Sequence, residues 1–266
     1  MTVETATWNP ATYLQFADER SRPFGDLLAR VGAEAPRRVV DLGCGPGQLT
    51  AGLAARWPQA TILGVDSSPA MIDAAHEHAT PNVRFEVADL RDWRPTEPAD
   101  VVVSNATLQW VPDHLELLSR LVEAVAPDGW FALQVPANFG EPSHRLLYQL
   151  AADPRFAAAT TGLERAAAPD AQTYLTHLTR LGLVVDAWET TYLHVLTGPD
   201  PVFRWISGTG ARPVLQALTP EQRTQFEAEY KALLREAYPN RGFGTVLPFR
   251  RTFVVAHRLE RTPAGC

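Results

Sequence analysis

The sequence predicts an α/β fold, built on a mostly parallel, seven-stranded open sheet with helices on both faces and a helical cap. Three observations carry this. Short apolar runs alternate with helical patterns through the first half of the chain, a glycine-dense turn follows the first run, and a carboxylate closes the second, roughly 20 residues beyond the glycines.

Val39-Val40 leads directly into Asp41-Leu42-Gly43-Cys44-Gly45-Pro46-Gly47. This reads as a strand entering a turn and then the helix Leu49 to Trp57, so that bare backbone can lie against a bound small molecule. Glycine tolerates φ > 0 and has no Cβ to hold a ligand away. A nicotinamide fingerprint would want glycine or alanine at position 48, but Gln48 stands there and an acid precedes the first glycine. That favours S-adenosylmethionine over NAD: it has no pyrophosphate to seat on a helix N-terminus but carries an ammonium that Asp41 could help hold beside Gly43 and Gly45.

Thr61 to Asp66 is the second strand, and its closing carboxylate, Asp66, sits where doubly wound folds hold ribose hydroxyls. Ser67-Ser68-Pro69 then opens a helix, with Ser68 as N-cap and Pro69 at its first position. Ser67 adjoins the ribose carboxylate and is a cofactor candidate, although capping alone accounts for both serines. Val83 to Val87 is the third strand. At its carboxyl end Asp89 can accept from an adenine amino group while a neighbouring backbone N–H, at Leu90, meets a ring nitrogen; a plain turn role is the alternative for Asp89. Asp100 to Asn105, a continuous apolar run, suits the buried middle of a parallel sheet. The segment after it, with Asn105, Gln109 and Trp110, is expected to align the transferred methyl group. His114 to Ala124 is helical, and the turn Pro127-Asp128-Gly129 precedes a fifth strand, Trp130 to Val135.

Beyond this, residues 138–182 are helical by pattern, with Tyr174, Leu175, Leu178 and Leu181 forming one apolar face. Val184 to Tyr192 is the sixth strand and Thr252 to Ala256 the last. Between them Thr219-Pro220-Glu221 opens a helix. One domain over 1–266 is expected, with helices in 8–30 covering the cofactor and cap segments 138–182 and 199–245 roofing the cofactor end of the sheet to form an acid pocket.

The chain has 266 residues, 45% of them apolar, enough for a full core. A net charge of −6 without a basic run argues against nucleic acid as the main partner. The start has no basic-then-apolar leader, and no apolar run is long enough for a bilayer, so a cytoplasmic protein without membrane partners is expected. Cys44 and Cys266 are the only cysteines, too few for a disulfide framework or a Cys-rich metal site, and no metal is expected.

In this order the motifs Asp-Leu-Gly-Cys-Gly-Pro-Gly (41–47), Asp-Ser-Ser-Pro-Ala-Met (66–71), Ala-Asp-Leu-Arg-Asp-Trp (88–93) and Ser-Asn-Ala-Thr-Leu-Gln-Trp-Val-Pro-Asp-His (104–114) resemble those of class I methyltransferases, which have a Rossmann-like fold. Trp8-Asn9-Pro10 with Tyr13, Phe16 and Arg20-Ser21-Arg22-Pro23, together with Thr209-Gly210-Ala211-Arg212-Pro213 and Phe249-Arg250-Arg251, narrow the resemblance to the trans-aconitate 2-methyltransferases, almost along the whole chain. The resemblance implies methyl transfer from S-adenosylmethionine to one carboxylate of trans-aconitate, giving a monomethyl ester and S-adenosylhomocysteine. A methyltransferase for another small acid or an acyl thioester is the main alternative, and a non-catalytic S-adenosylmethionine-binding module the other.

A carboxylate is already ionised at neutral pH, so its methylation needs no general base, only alignment, exclusion of water and cations to balance the other carboxylates. Arginine suits that last task through its planar fork. Arg20, Arg22, Arg145, Arg212, Arg250 and Arg251 are the candidates, with Arg22, Arg212 and Arg251 assigned to substrate alongside Trp110 and Trp205. Neighbouring strand residues point to opposite faces, so at most one of Arg250 and Arg251 can serve, and the resemblance favours Arg251. Arg20 shares a helical face with Tyr13 and Phe16 that could close over the cofactor. His114 could polarise a substrate oxygen or simply start a helix.

Overall fold

The computed structural model describes residues 17–163, 165 and 167–260; the side chains of 17–20 lie outside this description. In chain order its elements are α1 (Ala17–Leu28), β1 (Arg38–Leu42), α2 (Gln48–Arg56), β2 (Thr61–Asp66), α3 (Pro69–Ala75), β3 (Val83–Val87), β4 (Ala99–Asn105), α4 (His114–Glu123) and β5 (Val125–Pro136). Then follow α5 (Pro142–Ala151), α6 (Pro154–Thr160), α7 (Ala171–Arg180), β6 (Val184–Leu196), α8 (Pro201–Ser207), α9 (Arg212–Ala217), α10 (Pro220–Ala237) and β7 (Thr245–Arg258). The seven strands form one sheet in the order β3-β2-β1-β4-β5-β7-β6. Pairs β1–β2, β1–β4, β2–β3 and β4–β5 are parallel. The order reverses between β1 and β4, the point at which open sheets of this kind bind ligands beyond their strand carboxyl ends.

The described chain divides into two compact units. The sheet unit comprises residues 17–135, 168–190 and 252–260. Its core joins Val40, Leu42, Val102, Phe131 and Val254 to the buried stripe of α4, Leu117, Leu118 and Leu121, and to Tyr174 and Leu178 of α7. The helical unit comprises the described residues of 136–167 and 191–251 and gathers Phe156, Trp205, Phe226, Tyr230, Leu247 and Phe249. Its longest helix, α10, opens with a reciprocal capping box: the Thr219 hydroxyl accepts from the Gln222 amide, and the Gln222 side chain accepts from the Thr219 amide.

Several elements differ from expectation. The turn 127–129 lies inside β5 as an irregularity in its pairing: Ala99 pairs with Val125 and Val101 with Trp130, so four residues of β5 oppose the single Asp100. Asp128 has φ 60 there, and a Cβ on Gly129 would sit 2.8 Å from the Ala126 carbonyl oxygen. On α7 Tyr174 and Leu178, four apart, are buried, whereas Leu175 and Leu181 are exposed. Leu175 is about a sixth of a helical turn off that stripe on the side of Leu178 and more on the side of Tyr174, and Leu181 is the C-cap, where the periodicity ends. β6 runs four residues past Tyr192, and β7 begins at Thr245, seven before Thr252. The β6 extension alternates buried Tyr192, His194 and Leu196 with exposed Leu193 and Val195, so apolar side chains on its outer face hid the period. Among the described residues no helix is long and apolar enough to cross a membrane.

Candidate functional site

At the carboxyl ends of β1 and β2 the glycine turn is stitched to the sheet. The amides of Gly43 and Cys44 both donate to the Val65 carbonyl, at 2.7 and 3.0 Å. Gly43, Gly45 and Gly47 have φ of 80, 55 and 88, in the left-handed region. They are glycines for different reasons. A Cβ on Gly43 would lie 2.1 Å from Thr107 Oγ1, and one on Gly47 2.8 Å from the Ala75 Cβ, whereas one on Gly45 meets nothing within 4 Å. Gly43 and Gly47 are therefore fixed by packing, and Gly45 presents open backbone.

Asp66 anchors that backbone. Its Oδ2 accepts from the Gly45 amide at 3.0 Å and its Oδ1 from the Ser68 amide at 2.9 Å. Desolvation raises its pKa, opposed by those backbone donors. Ser68 caps α3 by accepting from Met71, while Ser67 beside it is exposed. Asp41, by contrast, points into the protein: it is buried and accepts from the Thr50 hydroxyl at 2.7 Å. Burial pushes its pKa up to about 6. The expected ammonium contact would have to compete with that inward bond.

Beyond β3, Asp89 grips the Arg91 guanidinium through both oxygens, with Nη2–Oδ2 at 2.6 Å, and also accepts the Arg91 amide at 2.9 Å. The arginine holds its carboxyl below the usual range. Asp89 is thus a turn and ion-pair residue with two donors from Arg91 on each oxygen, and Leu90 beside it is buried, its carbonyl accepting from Arg120 at 2.8 Å.

After β4 the chain turns sharply at Ala106, which has φ 55, a strained conformation for a residue with a Cβ. Its amide donates to the Gln134 carbonyl at 2.8 Å, so the turn is held by the neighbouring strand. Asn105 and Gln109 flank it, both buried, and their side-chain oxygens Oδ1 and Oε1 have no hydrogen-bond partner among the described residues. Gln109 is oriented by its amide, which donates to the Ala106 carbonyl at 2.6 Å, and Trp110 is half-buried at the end of the same turn. Neither the Ala106 strain nor the Thr107–Gly43 contact has a local sequence signature.

His114 is held at both ring nitrogens. Its Nε2 lies 2.6 Å from the Tyr174 hydroxyl and its Nδ1 3.2 Å from the Val111 carbonyl, and burial lowers its pKa. Arg22 is exposed on α1, 3.9 Å from Asp26 one turn on. Tyr13 and the side chain of Arg20 lie outside the described residues, as do Trp8 and Phe16. Among the described residues no group of three or more His, Cys, Asp or Glu could hold a metal.

The helical unit contains the other arginines. Arg251 is only 3% exposed, with its guanidinium 4.7 Å above the Phe249 ring, while Arg250 is exposed and donates to the Ala137 carbonyl. The strand alternation thus separates the pair as expected. Trp205 is buried against the same Phe249, with centroids 5.5 Å apart, and against His194 at 4.7 Å. His194, unremarked in the sequence, shares this aromatic cluster because the extended β6 carries it beside β7. Arg212 opens α9, half-buried, and burial brings its pKa down to about 10.

The family described as methyltransferase domain matches residues 16–185. The trans-aconitate 2-methyltransferase of Streptomyces coelicolor is 49% identical over 271 residues, covering 98% of this chain and 89% of that protein. Its counterpart from Mycobacterium sp. (strain KMS) is 53% identical over 253 residues, covering 94% of this chain and 98% of that protein. Similar solved structures include geranyl diphosphate C-methyltransferase from Streptomyces coelicolor with S-adenosyl-L-homocysteine, at TM-score 0.54 and 18% identity, covering 93% of this chain and 82% of that one. Phosphoethanolamine N-methyltransferase 2 of Haemonchus contortus with S-adenosyl-L-methionine gives TM-score 0.55 and 16% identity, covering 90% and 53%. At such identities these two structures speak for the fold alone.

Proposed function

From the premise that the chain belongs to the methyltransferase-domain family and, within it, to the trans-aconitate 2-methyltransferases, we propose that it esterifies one carboxylate of trans-aconitate with the methyl group of S-adenosylmethionine. The products are the monomethyl ester and S-adenosylhomocysteine. The residues at the strand ends fit such a donor. Gly45 offers backbone that no side chain crowds, Asp66 keeps lone pairs for ribose hydroxyls, and Asn105 Oδ1 and Gln109 Oε1 are buried acceptors suited to an ammonium. When bound, the cofactor supplies a methyl group made electrophilic by a positively charged sulfur.

The chain's own residues then have three tasks: to bind, to orient and to hold charge. A carboxylate is ionised without help, so no side chain need remove a proton, and His114 is already occupied at both ring nitrogens. The observation that carries the polycarboxylate reading is the buried guanidinium of Arg251, over Phe249, in a chain of net charge −6. An arginine's fork matches a carboxylate in two parallel hydrogen bonds. Arg212, whose pKa burial lowers, is the second such candidate in the helical unit. Clamps on the carboxylates that are not methylated leave the attacking one nucleophilic. The test is methyl transfer from labelled S-adenosylmethionine to a panel of di- and tricarboxylates, acyl thioesters, amines and phenols. Trans-aconitate should give the highest kcat/KM; a thioester or an amine doing so would overturn the proposal.

A further inference from the structure

Gly210 lies in the Thr209–Pro213 segment that leads into α9, and its φ is not in the left-handed region, so its backbone does not require glycine. What requires it is a neighbour: a Cβ at this position would stand 2.7 Å from His144 Nε2 and 3.4 Å from its Cδ2. His144, on the first turn of α5, cannot readily give way. Its ring is buried, packed edge-on against Phe139 at 5.3 Å, with Ser143 Oγ 3.4 Å from Nδ1. Burial holds the imidazole neutral, with its pKa lowered to about 4, so it places no second positive charge near Arg212. The segment is short and tightly tied. The Ala211 amide donates to the Ile206 carbonyl at 3.0 Å, the Arg212 amide to the Thr209 carbonyl at 3.1 Å, and Ala211 is fully buried. A shift at Gly210 is therefore passed along two residues of constrained backbone to Arg212.

We propose that His144 is a positioning residue for substrate recognition: its ring forms the seat on which Gly210 rests, and that seat sets where Arg212 presents its guanidinium to a substrate carboxylate. This rests on the reading of Arg212 as a carboxylate ligand. Displacements of about an ångström at a binding group cost up to a hundred-fold in efficiency, so loss of the seat should appear in KM for the acid.

The experiment compares steady-state kinetics of Arg212→Ala, His144→Ala, His144→Gln, Gly210→Ala and the double variant Gly210→Ala/His144→Ala, varying trans-aconitate and S-adenosylmethionine separately. Arg212→Ala should raise KM for trans-aconitate, and His144→Ala and Gly210→Ala should each raise it about ten-fold, with KM for S-adenosylmethionine and kcat within about two-fold of wild type. His144→Gln, which refills most of the volume, should recover most of the loss. Because removing the ring removes the clash, the double variant should be no worse than His144→Ala alone. Additive losses in the double variant, or unchanged KM for both single variants when Arg212→Ala raises it, would overturn the positioning role. An unchanged KM in Arg212→Ala would instead overturn the assignment of Arg212 and the inference with it. Should Gly210→Ala fail to fold, the contrast between His144→Ala and His144→Gln decides: equal KM values close to wild type reject the role.

Discussion

The carboxylate of Asp66 and the amide of Gly45, 21 residues apart in the chain, meet at 3.0 Å, joining the end of β2 to the one glycine of the loop that has open space beside it. The same side chain that can accept a ribose hydroxyl therefore also fixes the loop that would carry the rest of the ligand. On the proposed reading, Asp66 combines binding with preorganisation of the loop.

Asp66→Ala should accordingly weaken S-adenosylmethionine binding by about ten- to a hundred-fold or somewhat more, the loss of a charged acceptor plus a loosened loop, roughly 1.5 to 3 kcal/mol. Asp89→Ala should cost less, because its carboxylate is already shared with Arg91. Isothermal titration calorimetry on both variants checks the order; an unchanged Kd for Asp66→Ala would displace the ribose site from the end of β2.

Arg251→Ala and Arg212→Ala should raise KM for trans-aconitate by about ten- to a hundred-fold while leaving cofactor affinity nearly unchanged. Arg251→Lys should also be impaired, since an ammonium does not reproduce the fork that lies over Phe249. Wild-type kcat/KM in both folded alanine variants would make these arginines structural.

What could be read in the sequence was what is local. The β1 to β4 strand ends, the Ser68 cap and the Thr219 helix start each depend on residues within a few positions, and the structure places them accordingly. What could not be read depends on contacts across the chain. The packing of Thr107, 64 residues on, against Gly43 has no local signal, and the Gly210 requirement comes from His144. The φ of Ala106 is imposed on an ordinary residue by the Gln134 strand, without any glycine to announce it. The inward turn of Asp41 has the same origin: Thr50, on the following helix, receives a carboxylate that the motif alone would assign to the loop.

The rate should be nearly independent of pH from about 6 to 8, because the substrate carboxylates remain ionised and no side chain must first lose a proton. His114 would be the natural exception, but burial lowers its pKa and Tyr174 and Val111 occupy its nitrogens. A pH profile of kcat for wild type and His114→Gln checks this. A steep rise through the window that disappears in the variant would identify a base or a gating histidine.

Stability between pH 4 and 7 should contain two opposed contributions, from Asp41 in the sheet unit and His144 in the helical unit. The Asp41 carboxyl, raised by burial from 3.8 to about 6, binds its proton more tightly in the folded protein, so its contribution is most favourable below pH 3.8 and declines as pH rises to 6. The His144 imidazole, lowered by burial from 6.5 to about 4, resists protonation when folded, so its contribution is fully present above pH 6.5 and declines as pH falls to 4. Each shift corresponds to about 3 kcal/mol across its window, and in the wild type the two largely offset. Urea unfolding of wild type, Asp41→Asn and His144→Gln at several pH values separates them, since any pH-independent cost of either substitution cancels in the comparison. Relative to wild type, Asp41→Asn should gain stability between pH 4 and 7, and His144→Gln should lose it over the same range. Curves that run parallel to wild type in both variants would mean that neither group carries a shifted proton equilibrium in the folded protein.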